Sequence, residues 1–158
     1  MRRFYKKFLG SLYYWEVWKS DETTTVIHHG KVGKEGKIEV VSSDHELTDD
    51  AKIDNRIKRL RSYKELDSDD MAVLYIEYDI EGVWGNDEDL PKRHALQERM
   101  DDLLGWRGLG FCDGGSIGAG TMEVCCYVCD FNIALRVIKK DLKGTDFDSY
   151  TKIFLESE

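Results

Sequence analysis

The chain has 158 residues, 41% of them hydrophobic and 34% charged, the balance of a folded globular protein and not of a disordered one. Its net charge of −8 is unevenly shared: residues 1–66 carry 14 Lys/Arg against 11 Asp/Glu, and residues 67–158 carry 9 against 20. Only the first part suits a nucleic-acid backbone, and the second would be repelled by it.

The apolar runs fall far short of the roughly 20 residues a membrane helix needs. The basic start, Met1 to Lys7, has no apolar stretch behind it and does not read as a signal peptide. A cytoplasmic protein with no membrane partner is expected. The four cysteines, Cys112, Cys125, Cys126 and Cys129, crowd into 18 residues, unlike the dispersed cysteines of a secreted disulfide scaffold, so free thiols are expected.

In chain order, Phe4 to Val41 reads as strands. Tyr13, Trp15 and Val17 alternate with Tyr14, Glu16 and Trp18, and Thr23 to Ile27 is almost wholly β-branched. Gly10-Ser11, Ser20-Asp21 and Gly33-Lys34-Glu35-Gly36 punctuate a sheet of three or four strands. Over 47–63 the period becomes helical, with Ala51, Ile53, Ile57 and Leu60 on one stripe and Thr48 or Asp49 as N-cap. Residues 67–70, Asp-Ser-Asp-Asp, read as a solvated linker. From Met71 a strand, a helix opened by Pro91 and closed by Gly105, a short strand near Leu109–Cys112, a strand from Met122 to Cys129, a helix capped by Asp130 and stopped by Gly144, and a strand from Tyr150 follow. The fold class is α+β: a β-rich module over 1–66 and an acidic β-α-β-β-α-β, ferredoxin-like module over 71–158.

The stretch His29-Gly30-Lys31-Val32-Gly33-Lys34-Glu35-Gly36-Lys37, with Arg2-Arg3-Phe4, Gly10-Ser11, Tyr14-Trp15-Glu16-Val17 and a closing helix at Arg61-Ser62-Tyr63-Lys64-Glu65, resembles the WGR domain. The likeness covers about residues 1–66. The family's Trp is His29 here, its Arg is Lys31 and its usual Gln is Lys37, which removes a stacking surface and a bidentate fork. The glycines Gly30, Gly33 and Gly36 stand where the family has them. The resemblance implies a module that contacts nucleic acid or another protein, through His29, Gly30, Lys31, Lys34, Lys37, Arg56 and Arg59.

Other motifs have structural readings beside functional ones. Gly114-Gly115-Ser116-Ile117-Gly118 spells a nucleophile elbow, yet a strand follows it instead of a helix, and all four histidines, His28, His29, His45 and His94, precede Ser116. With Gly120, these glycines read as a bulged hairpin, with a partner-facing surface at Gly114, Gly115, Ser116, Gly118 and Gly120 as the functional alternative. Cys125 and Cys129 would face one side of their strand and Cys126 the other, which suits packing better than zinc. The carboxylates at Asp87-Glu88-Asp89 and Asp101-Asp102 read as solvated charge. No metal or cofactor is expected.

The resulting expectation is a non-enzymatic binding or accessory protein whose partner is an unknown macromolecule, protein or nucleic acid. An alternative is an immunity protein that neutralises a basic toxin through its acidic second module, an assignment to which that module bears a loose resemblance. A small-molecule enzyme, with a pocket near the glycine hairpin, is the third reading.

Overall fold

The computed structural model describes residues 1–42 and 49–156 and shows an α+β chain of two antiparallel sheets with three α-helices. Strands β1 (Arg2–Phe8), β2 (Ser11–Lys19), β3 (Thr24–Lys31) and β4 (Lys37–Ser42) follow one another as an antiparallel meander. Helix α1 (Asp49–Arg59) lays Ile53 against Phe4, Trp15, Val17 and Ile27, the apolar face that the alternation in β2 announces. Thr48, one of the two cap candidates, and His45 lie outside the described residues.

The helix expected to close at 61–65 instead ends at Arg59, and Lys64–Glu65 becomes strand β5 beside β1. The open edge of β1 supplies backbone partners that a further helical turn could not use. Arg2 clamps the new strand through Glu65, with nitrogen–oxygen distances of 2.7 and 2.9 Å. The sheet order is β4-β3-β2-β1-β5. The segment read as a linker carries one exposed 3-10 turn at Ser68–Asp70.

The second sheet takes β6 (Ala72–Asp79), β7 (Gly110–Gly118), β8 (Thr121–Val128) and β9 (Lys152–Leu155) in the order β7-β8-β6-β9. Because β8 is antiparallel to both β6 and β7, those two run parallel with β8 inserted between them, the split β-α-β arrangement. Helices α2 (Asp89–Gly105) and α3 (Phe131–Leu142) join the strands. Asp130 caps α3, its Oδ1 accepting from the Ile133 amide at 2.9 Å. The glycine-rich segment is less of a turn than expected. It belongs to β7, which runs on to Gly118 through a bulge between Cys112 and Gly115.

The inner face of this sheet alternates strictly. Leu74, Ile76 and Tyr78 of β6 and Met122, Val124, Cys126 and Val128 of β8 meet Leu96, Met100 and Leu104 of α2 and Ala134, Ile138 and Leu142 of α3. Tyr5 and Tyr14 of the first sheet, and Val32 in the turn after β3, belong to the same buried cluster. The two sheets form separate strand ladders but share one core. Fully burying the Tyr14 ring contributes on the order of 2 kcal/mol to that union.

Candidate functional site

The turn around Gly33, between β3 and β4, is where the sheets meet. The Gly33 amide donates to the Arg107 carbonyl at 2.9 Å, and Arg107 pairs with Glu35 at 3.2 Å. Gly33 has φ +84°, and a Cβ there would stand 2.7 Å from Ile133 Cγ2 of α3. Gly108, at φ +58°, lies directly on the Tyr14 ring, so neither glycine leaves room for a side chain. The arrangement gives the glycine spacing a concrete reason: backbone approaches α3 on one side and a tyrosine ring approaches backbone on the other.

Beside this contact, register places Arg3, Glu16 and His28 in one cross-strand row, on the face of the first sheet turned toward the second. Glu16 and His28 are each only 2% exposed. Glu16 Oε1 lies 3.3 Å from Arg3 Nε, Glu16 Oε2 lies 3.1 Å from His28 Nδ1, and His28 Nε2 lies 2.9 Å from the Tyr14 hydroxyl. Burial, followed by the Glu16 charge, raises the Tyr14 hydroxyl above its ordinary pKa and keeps it protonated. Trp106 at the end of α2 meets the His28 ring edge-on, and Arg3 sits 4.7 Å from the Phe111 ring centre. A cleft of about 220 Å³ opens over this row, walled by Trp18, Trp106 and Phe111. With its carboxylate hydrogen-bonded to the imidazole and ion-paired with the guanidinium, the row reads as the polar clasp of the junction.

On the other side of the same loop lies a second, wider cleft of about 580 Å³. Its wall is Gly33, Lys34 and Glu35 from the turn between β3 and β4 and Arg107, Arg136 and Lys140 from beyond the first sheet. It continues past Gly33 into a neighbouring hollow that adds Ser11 and Lys31. Glu35 is tied to Arg107, and Asp141 to Arg99 at 2.7 Å. Lys31, Lys34, Arg136 and Lys140 are exposed and have no ion-pair partner among the described residues. In a chain of net charge −8, four uncommitted cations face one groove.

The residues singled out from sequence are therefore divided. Lys31 and Lys34 line the groove. Gly30 is packed against Gly36 and the Tyr14 ring. His29 shares a cross-strand row with Trp15 on the α1 side, and Lys37, exposed, begins β4 in the same row. Arg56 is engaged by Glu39 at 2.8 Å, and Arg59 is exposed at the end of α1. The groove also contains Arg107, Arg136 and Lys140, which sequence reasoning left out. Arg136 and Lys140, four apart on α3, were legible as one helical stripe.

The glycine hairpin forms a different surface. Ser116 donates to Glu123 at 3.2 Å, β7 continues past it, and no helix begins there, so the nucleophile-elbow geometry is absent. Gly114 and Gly115 form the bulge, and Gly120 closes the turn into β8. Gly118 lies under Trp84, 3.5 Å from a Cβ position to Cζ3, and Trp84 itself is 77% exposed. The junction clefts contain none of Ser116, Asp113, Glu123 or the cysteines. Among the described residues, no group of three His, Cys, Asp or Glu side chains is placed to hold a metal.

The outward face of the second sheet is half-exposed and aromatic. Phe111 stacks on Tyr127 at 4.9 Å, and Tyr75 on Phe154 at 5.6 Å. Glu77 and Glu123 share this face. Glu156 accepts from the Tyr75 hydroxyl at 3.0 Å, and that bond, more than burial, raises the tyrosine pKa. Compared with known proteins, the chain matches no family, no curated protein and no solved structure.

Proposed function

We propose that this chain is a non-enzymatic binding protein whose WGR-like first module, together with α3, engages the phosphate backbone of a nucleic acid. The observation that carries the reading is the groove around Gly33, where Lys31, Lys34, Arg136 and Lys140 are free of carboxylate partners. Phosphate recognition needs uncommitted cations along a track, and base identity does not enter. The acidic remainder of the second module would be repelled, which restricts contact to this track. The resemblance of residues 29–37 to the WGR core supports the same surface, although Lys31 supplies a point charge where the family's arginine supplies a fork.

Fluorescence anisotropy with labelled nicked, blunt and single-stranded DNA and with RNA, at low salt, tests it. Binding should weaken steeply with salt, with a log–log slope of about −3.6 on duplex DNA and about −2.8 on single strands for four contacts. The pair Lys34→Glu and Arg136→Glu should cost more than tenfold in affinity, whereas Arg59→Glu at the end of α1 should cost little. Absence of binding to every probe at low salt ends the proposal.

A second reading rests on the outward face of the second sheet, where stacked Phe111/Tyr127 and Tyr75/Phe154 are bordered by Glu77, Glu123 and Glu156. Such a surface suits an arginine-bearing protein partner, as an immunity protein for a basic toxin would require. A basic toxin encoded beside this chain should lose its inhibitor when Tyr127 is replaced by Asp. Undiminished inhibition by that variant removes the second reading.

A further inference from the structure

Cys112 on β7 and Cys126 on β8 are directly opposite partners in the ladder, both buried, with their sulfurs 2.6 Å apart. That separation is closer than non-bonded heavy atoms of similar size settle, which is about 3.5–4.0 Å. The Cys112 amide donates to Asp101 Oδ1 at 3.0 Å and not across to β8. Facing residues outside the hydrogen-bonded pairs of an antiparallel ladder bring their Cα atoms to about 4.5 Å, inside the span a disulfide bridges. Cys125 points to the opposite face of the sheet, and Cys129 Sγ is turned toward the Gly108 carbonyl at 3.6 Å.

We propose that Cys112 and Cys126 form a reversible intramolecular disulfide on exposure to a low-molecular-weight disulfide such as oxidised glutathione. Cys112 lies on an edge strand and is the more accessible of the two, so it reacts first. Its thiolate attacks the small disulfide, forming a mixed disulfide and releasing one thiol molecule. Cys126 gives up its proton and attacks the Cys112 sulfur, expelling the second thiol molecule. The protein loses two protons and two electrons, and one small disulfide becomes two thiols. Desolvation raises both Cys125 and Cys126 above the ordinary thiol pKa, and for Cys126 the hydrogen bond with Cys112 is the larger cause, so the exchange is slow and depends on the inner pair's proximity. The bond would pin β7 to β8 immediately before the bulge at Gly114-Gly115, where the register between the strands shifts. It would thereby stiffen the glycine hairpin and hold Gly118 under Trp84.

The test uses the full chain, incubated with oxidised glutathione, then alkylated in denaturant and mapped by peptide mass spectrometry without reduction. The expected product is one linked peptide pair joining Cys112 to Cys126, lighter by two hydrogens, with Cys125 and Cys129 alkylated. Dithiothreitol should return four alkylatable thiols. The variant carrying Cys125→Ser and Cys129→Ser should form the same link. Amide exchange over residues 110–118 should slow on oxidation. Four free thiols after prolonged oxidant treatment, or a link that uses Cys125 or Cys129 instead, overturns the proposal.

Discussion

The inner strands β2 and β8 meet different surroundings. In β8 every second residue is buried, Met122, Val124, Cys126 and Val128 on the helix side, while Glu123, Cys125 and Tyr127 remain half-exposed. In β2 four consecutive residues, Tyr14, Trp15, Glu16 and Val17, are buried, because α1 covers one face and the second sheet covers the other. Alternation is thus a report on how many faces are covered, and a strand with two covered faces loses it. The charged residue caught in such a strand must be paired, and Glu16 is held by Arg3 and His28.

The sharpest way to break this comparison is to remove a carboxylate from each sheet. Glu16→Ala should cost about 3–5 kcal/mol in urea unfolding, because Arg3 and His28 are left at a buried junction without their partner. Glu123→Ala on the open face should stay within about 0.5 kcal/mol. Equal effects would mean that the junction is not the stabilising contact described here. A milder cut at the same clasp, Tyr14→Phe, keeps the ring packed on Gly108 but deprives His28 Nε2 of the hydroxyl at 2.9 Å. It should cost about 1–2 kcal/mol, and a stability unchanged from that of the parent chain would show that His28 finds another partner.

A separate effect is expected on alkaline stability. Burial first of all pushes the Cys129 thiol from an ordinary 9.0 up to about 12, and burial raises Tyr5 beside it as well. A raised pKa means that the folded state holds its proton where the unfolded state has lost it. The contribution is complete below about pH 9 and is lost as pH climbs toward 12. Cys129→Ala should flatten the fall in unfolding free energy over that window, measured by denaturant titration at successive pH values. An unchanged slope would place the loss elsewhere, with Tyr5 the next group to examine.

Much of the architecture was legible because one covered face leaves a periodic trace. The order β-α-β-β-α-β, the Asp130 cap and the inner stripe of β8 all follow from local pattern. The end of α1 was not, since Lys64–Glu65 is drawn into a strand by the free edge of β1, a partner some sixty residues earlier. The candidate groove was half legible. Lys31 and Lys34 stood out beside their glycines, but Arg136 and Lys140 came from a module whose overall charge argued against anions.

The sequence by itself determined most of the elements, their order and which strand faces are apolar, because hydrophobic period and capping act over a few residues. Only the tertiary structure decided that the two sheets share a core, that Glu16, His28 and Arg3 form one buried clasp, and that cations from both modules face a common groove. The shared core and the groove join residues scores of positions apart, and their partners are chosen by the close approaches at Gly33 and Gly108, which no local pattern encodes.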